Sequence, residues 1–427
     1  MGGQIKIALI GAGMFGADVH LRACADLHRA GIAPQLGRIG LDLWARELAP
    51  ISFNLTAVAA RTEASAHRAC DNFHKWTVHR PKPYFGKTPW LEILRDNPAL
   101  DVMAVATPDH LHTPVILAAL KHGAHVVTEK PMCLSIHEAD EITELAREKN
   151  LIVSVDMHKR YDPDHLRIAG EIKGLIGEPL YGVAYLEEPL EVSTSTFKWA
   201  ERSDPFTYVG PHWVDLIWHY YHSKPVSLTA VGQKKRLVRQ GIQAYDAVQV
   251  RVDYANGMSI HYHNHWITPP DFEGPVNQGH EIVGAHGKVE SDQQYRGLRF
   301  WHKGGGTRTV NTHFTRSVAR PDGSQGCVGY GIDSLTAGLA AICRRKFFKT
   351  SREELASVYP TAEDARMTVA IVDAAARVRD LNFQYAQEGL GAPVTARFSD
   401  QGITIIDPNR AGSGAGEVFA RIYEKSI

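Results

Sequence analysis

From residue 5 to about residue 155, short runs rich in Val, Ile and Ala alternate with longer stretches of amphipathic, helix-period spacing. Runs that are apolar on both faces belong to parallel strands covered on either side by crossover helices. The pattern predicts strands at 5–10, 55–59, 102–106, 125–127 and 151–155, with a first helix at 17–30. Ser135 and Glu138 stand in capping-box spacing ahead of a helix running to about Asn150. The expected fold class is an α/β Rossmann domain, a doubly wound parallel sheet, over residues 1–156. Residues 31–54 form an insertion of unassigned role between the first helix and the second strand.

After a short helical piece at 163–175 the period changes to two, in YGVAYLEEP, VSLTAVGQ, AVQVRVDY, MSIHYHNHW and LRFWHK. Alternation of this kind marks a mostly antiparallel sheet with one open face. The second domain is therefore expected to be α+β, spanning 157–382. Helical stretches at 332–345 and 362–381 either cover this sheet or return to the first domain. PPDFEGPVNQG at 269–279 reads as a long loop. A C-terminal extension is expected over 383–427, with Gly412, Gly414 and Gly416 in a loose tail.

Composition narrows the function by exclusion. Lys plus Arg equal Asp plus Glu at 47 each, so no net charge draws the chain to nucleic acid or to an acidic membrane surface. Cys24, Cys70, Cys133, Cys327 and Cys343 are scattered and lack CxxC spacing, which argues against a disulfide framework or a zinc cluster. The chain passes almost at once into IKIALI without a signal-peptide pattern, and no apolar run approaches the roughly 20 residues of a membrane span. The expected location is the cytoplasm.

The candidate chemistry gathers at predicted strand ends. In IALIGAGMFGADVH, Gly11, Gly13 and Gly16 form GxGxxG between a strand and a helix, with Met14 and Phe15 inside the loop. Gly11 permits the tight turn, Gly13 lets the backbone approach a pyrophosphate, and Gly16 allows close packing of strand and helix. The second strand ends in Ala60, Arg61 and Thr62, where an acid would bond the adenosine ribose; a guanidinium there favours a 2′-phosphate, hence NADP over NAD. The third strand ends in Thr107, Pro108, Asp109, His110 and His112, and the fourth in Glu129, Lys130 and Pro131, at the edge where such sheets bind ligands. Read alone, the histidines can be a helix entry, and a lysine after a strand is most often a surface residue.

Together, GAGMFG at 11–16, TPDHLHTP at 107–114, EKP at 129–131, HKRYDP at 158–163 and GPHWVDLIWH at 210–219 resemble the Gfo/Idh/MocA family of oxidoreductases over roughly residues 5–380. The resemblance implies a place for Lys130 beside nicotinamide and substrate, and catalytic roles for Asp215 and His219. Residues four apart on a helix share a face, so Asp215 and His219 can point into one pocket. A secondary alcohol that loses hydride needs a base for its proton, and imidazole titrates in the right range. His219 is assigned as base, Lys130 as the cation that stabilises the alkoxide, and Asp215 as the group that orients substrate or His219. His158, Arg160 and His212 are further substrate-binding candidates, with Lys159 beside them; Arg160 can instead be structural.

No metal site is expected. His261, His263 and His265 share one strand face, but successive members stand about 7 Å apart, too far for one ion. Lys198, Trp199, Arg202, Tyr208 and Trp213 suit either a carbohydrate ring or a loop or subunit contact. The resemblance also implies a homo-oligomer, dimer or tetramer, formed through the open sheet face. The first expectation is thus an NADP-preferring dehydrogenase or reductase of a sugar, polyol or derivative. The alternatives are a glycoside-cleaving enzyme that uses the cofactor transiently and a non-catalytic sugar or dinucleotide sensor.

Overall fold

The structure, a computed structural model, describes residues 2–389, 391–410 and 418–426. It divides into two compact units. The first comprises Met1–Cys133, Glu138–Pro163 and His313–Ala365; the second comprises Leu134–His137, Asp164–Thr312 and Arg366–Ile427.

In the first unit, β1 (Gly3–Ile10), β2 (Ile51–Ala60), β3 (Lys82–Phe85), β4 (Val102–Val105), β5 (His125–Thr128) and β6 (Val153–Val155) form a parallel sheet in the order β3-β2-β1-β4-β5-β6. Every residue of β4, β5 and β6 is buried, which is why these runs show no alternation. The expected strand at 55–59 begins at Ile51, so the insertion ends earlier than its sequence suggests. β3 was not foreseen: it has four residues, contains Pro83 and pairs only with β2. An edge position tolerates the missing amide of a proline.

Residues 313–365, assigned from sequence to the second domain, pack within the first unit. The helix Tyr330–Phe348 is buried along most of its length, as an all-round apolar helix must be. Leu335, Leu339 and Ile342 share one core cluster with Ile5, Leu9, Val102 and Val127. A Cβ on Gly338 would lie 2.5 Å from Ser154 Oγ, so only glycine permits this approach to β6. The insertion now has a role as a seat for this helix: Arg38 donates to Asp333 at 2.8 Å, and Thr336 Oγ1 donates to Gln35 Oε1 at 3.3 Å.

In the second unit, β7 (Pro179–Pro189), β8 (Pro225–Gln233), β9 (Ala247–Tyr254), β10 (Ser259–Thr268), β11 (Asn277–Gly284) and β12 (Gly287–Asp292) are joined by Thr395–Ser399, Gly402–Asp407 and Val418–Tyr423 in one sheet. The order is β12-β11-β7-β10-β9-β8 followed by the three C-terminal strands; β7 and β10 pair in parallel and the other pairs are antiparallel. Ile260, Tyr262, Asn264 and Trp266 point inward from β10, while His261 and His263 lie exposed on the open face.

Three expectations change here. The 269–279 loop gives way to β11 at Asn277. Arg299–His302 leaves the sheet to pair with Gly306–Thr309 as a separate hairpin. The extension after 383 supplies strands to the sheet, following a helix that runs from Ala362 to Gln387. Gly412, Gly414 and Gly416 lie outside the described residues. Among the described residues no helix is long and apolar enough to cross a membrane, and all five cysteines are buried thiols.

Candidate active site

At the carboxyl edge of the first sheet, two glycines are dictated by the protein itself. Gly11 has φ +104°, and a Cβ there would fall 2.2 Å from the Ala106 carbonyl oxygen; a Cβ on Gly16 would fall 2.1 Å from that of Gly11. No protein atom lies within 4 Å of a Cβ built on Gly13, so its backbone stays open to a close-approaching group. Met14 is exposed, whereas Phe15 stacks on His158 with centroids 5.5 Å apart and touches Phe314 at 5.8 Å.

The helix expected over 17–30 begins as a widened turn, Gly16–His20, in which Leu21 N–H donates five residues back to Gly16 O. It then continues as Leu21–Ala30. Widened turns of this kind recur at functional sites. Here the turn sends Val19 and His20 into the interior.

Arg61 is exposed at the end of β2, and Thr62 caps the helix Glu63–Thr77 by accepting from Ser65 N–H at 3.3 Å. At the end of β4, Thr107 Oγ1 is buried without a hydrogen-bond partner. Asp109 is buried and accepts from His110 N–H at 2.7 Å. His112 lies with Nδ1 2.7 Å from Pro131 O and Nε2 2.9 Å from Thr107 O. Burial holds this imidazole below its usual range, and the two carbonyls work against that shift. Pro108 thus sits in a loop tied to the one that follows Lys130. The open Gly13 backbone and the unpartnered Thr107 hydroxyl are consistent with a dinucleotide laid along this edge.

Glu129 and Lys130, which follow β5, are both buried. His20 Nε2 lies 2.9 Å from Glu129 Oε1 and 3.8 Å from Asp156 Oδ2. Burial pushes the Glu129 carboxyl up to about 7, against the pull of Lys130. Asp156 is raised by burial and by Glu129, and His20 is lowered by burial. Among the described residues, this trio is the group of three potential metal-ligating side chains whose atoms lie within 4.8 Å of one another. The sequence did not reveal it, because His20, Glu129 and Asp156 are far apart in the chain and only Glu129 belongs to a recognisable motif.

After β6, His158 is buried between Phe15 and Tyr330, and burial, Lys159 and Lys130 hold it well below its usual range. Arg160 pairs with Asp364 at 3.3 Å.

In the second unit, the helix Pro211–Tyr221 carries His212, Asp215 and His219. His212 and Asp215 are buried and His219 is half-buried. Trp213 is 1% exposed and donates from Nε1 to Tyr185 O at 3.0 Å. It is a packing residue, not a platform for a sugar. Trp199 likewise stacks on Phe197 at 4.4 Å and meets Tyr208 edge-on; Lys198 and Arg202 are exposed nearby.

The sequence also missed a buried network beneath this helix. His165 Nε2 lies 2.7 Å from the Gln293 amide nitrogen, a donor, so the imidazole proton belongs on Nδ1 and donates to Tyr220 Oη, also at 2.7 Å. His280 lies 5.3 Å from both the His165 and Trp213 rings.

Comparison with known proteins follows the same two-part division. Residues 5–157 match the GFO/IDH/MocA oxidoreductase family profile, described as an NAD-binding Rossmann fold, and residues 172–290 match a C-terminal domain profile of that family. A scyllo-inositol 2-dehydrogenase (NADP(+)) of Bacillus subtilis is 30% identical over 223 residues, 50% of this chain and 58% of that protein. A 1,5-anhydro-D-fructose reductase of Ensifer adhaerens is 24% identical over 209 residues, 47% of this chain and 59% of that protein. The chain therefore spans under two thirds of the length of these relatives. Among solved structures, myo-inositol 2-dehydrogenase from Lactobacillus plantarum superposes with a TM-score of 0.65 at 16% identity, covering 93% of this chain and 100% of that one. Scyllo-inositol dehydrogenase from Lactobacillus casei, solved with NAD(H) and scyllo-inositol, gives 0.62 at 16% identity, covering 89% and 98%. At such identities these structures support the fold alone.

Proposed function

The chain belongs to the GFO/IDH/MocA family of oxidoreductases, and from that premise we propose that it is an NAD(P)-dependent dehydrogenase or reductase acting on a secondary hydroxyl or ketone of a sugar, polyol or sugar derivative. The observation that carries this reading is the loop at Gly11, Gly13 and Gly16 on the same sheet edge as the buried Lys130. The inositol dehydrogenase and anhydrofructose reductase among its relatives support the substrate class.

When bound, nicotinamide supplies the hydride acceptor or donor. Gly13 and Thr107, with Met14 and Phe15, hold the dinucleotide. The side chains have separate tasks. His219 takes the proton from the substrate hydroxyl oxygen, and Asp215, one helical turn before it, fixes the orientation of the imidazole or the hydroxyl. Lys130 stabilises the negative charge that grows on that oxygen. His158, Arg160 and His212 are assigned to substrate binding, Arg160 through whatever its pair with Asp364 leaves available.

NADP is the favoured cofactor, supported by the exposed Arg61 at the end of β2 in place of an acid. A cytoplasmic homo-oligomer, dimer or tetramer, completes the proposal. Five buried thiols agree with a reducing compartment, and the open sheet face around His261 and His263 offers a surface for a second copy.

The test is nicotinamide absorbance with NAD and NADP separately, against inositols, sugars and sugar acids. Reduction with one class, cut about 10²- to 10³-fold by Lys130→Ala while cofactor binding persists, is the expected result. Unchanged turnover in Lys130→Ala, or tight cofactor binding with no net reduction across the panel, would overturn it.

A further inference from the structure

The trio beneath Lys130 is too charged for its surroundings to be mere packing. His20 is 0% exposed, Asp156 1% and Glu129 7%. Neither oxygen of Asp156 has a hydrogen-bond partner of ordinary geometry, and one lies 4.0 Å from His158 Nδ1. His20 Nδ1 also lacks a partner. The imidazole proton therefore belongs on Nε2, where it donates to Glu129 Oε1 at 2.9 Å.

Two carboxylates in a dry site with atoms this close cannot both ionise cheaply; such pairs keep one proton between them. The groups that face them are few. They are His20 from the widened first turn, Lys130 next in the chain to Glu129, His158 and Lys159 from the segment after β6, and Ser334 from the helix Tyr330–Phe348. Lys130 and Lys159 are the cations of the group.

We propose that Glu129 and Asp156 share one proton, with His20 as the hydrogen-bond donor to Glu129, and that this singly charged pair is a positioning device that sets the proton affinity of Lys130. With one proton held, the pair carries a single negative charge that balances Lys130. When that proton leaves, the second charge binds the ammonium more tightly and offsets its field at a neighbouring oxyanion. Glu129, His20 and Asp156 are positioning residues that act through Lys130. The inference rests on the assignment of Lys130 above, but its chemistry is a property of this unit without substrate.

The experiment therefore reads protonation rather than turnover. Infrared difference spectra of the full chain between pH 5 and pH 9 are expected to show a protonated-carboxyl band that persists to neutral pH in the wild type, in keeping with a Glu129 carboxyl pushed up to about 7. Glu129→Gln should lower the pH at which the band fades, because the buried Asp156 left behind no longer faces a second carboxylate, and the double variant Glu129→Gln/Asp156→Asn should abolish the band at neutral pH. In parallel, the pH midpoint of chemical labelling at Lys130 should fall by about one unit in Glu129→Gln, as expected when a nearby opposite charge is removed.

A wild-type spectrum without the band at neutral pH overturns the proposal, and this outcome needs no variant to fold. So does an unchanged Lys130 midpoint in a folded Glu129→Gln. A stoichiometric metal ion retained by the purified protein and lost in Asp156→Asn would also overturn it, assigning the trio to a cation instead. An inactive enzyme that still shows the band and the midpoint shift leaves this inference standing and sinks the functional one.

Discussion

His112 and Pro131 are joined across the sheet edge, with imidazole Nδ1 2.7 Å from the proline carbonyl oxygen. Because Nε2 of the same ring meets the Thr107 carbonyl, one buried side chain ties the loop after β4 to the loop that carries Lys130. A neutral imidazole donates to one of these two carbonyls, so His112→Ala leaves one buried carbonyl unpaired, at a cost of about 1–3 kcal/mol. Calorimetry should show a lower Tm, and dinucleotide titration a weaker Kd. An unchanged Tm would show that the tether carries no load.

The three glycines of the first loop separate folding from binding. Gly13→Ala meets no protein atom, so its Tm should match the wild type while dinucleotide affinity falls at least tenfold, about 1.4 kcal/mol. Gly11→Ala drives a Cβ into a backbone carbonyl and should lower the Tm itself. Equal Tm losses in both variants would refute the distinction.

Arg61 is a test of cofactor choice alone. Its side chain is exposed at the end of β2, and a charge-assisted contact is worth about 1.5–3 kcal/mol. Arg61→Ala should therefore raise the KM for NADP about 10- to 100-fold and leave that for NAD in place. Parallel loss with both cofactors would remove Arg61 from 2′-phosphate recognition.

His125 gives the first unit an acid limit. Its Nδ1 accepts from Ile152 N–H at 2.9 Å, and burial lowers its pKa from 6.5 to about 4. As pH falls, the unfolded chain takes up this proton before the folded one. The contribution, about 3 kcal/mol, is thus present above pH 6.5 and is lost as pH falls toward 4. Denaturant midpoints measured across that window should fall steeply in the wild type and less steeply in a folded His125→Asn. Parallel curves would exclude His125 as the cause.

Features repeated along the chain were legible in the sequence; features assembled from distant pieces were not. The doubly apolar runs of β4 and β5 and the alternation of β9 and β10 announce themselves, because burial on two faces or one leaves a local pattern. β3 is too short, and its proline reads as a breaker. The helix Tyr330–Phe348 was found, but an all-round apolar helix does not say which unit covers it. Among site residues, the Gly11 loop and Lys130 stand in motifs. His20 and Asp156, like His165 and Gln293, gain meaning only from partners that lie outside their own sequence motifs, from 27 to more than a hundred residues away.

The closing strands of the second sheet have a consequence during synthesis. β8 finds its outer neighbour only when Thr395–Ser399 arrives, so a nascent chain that has already made β8 carries an unpaired strand edge until its last part is translated. Pairings so far apart in sequence form slowly, and open edges recruit other chains. Expression yield is therefore expected to depend on holdase chaperones during this interval, and a chain stopped before residue 395 is expected to aggregate through β8.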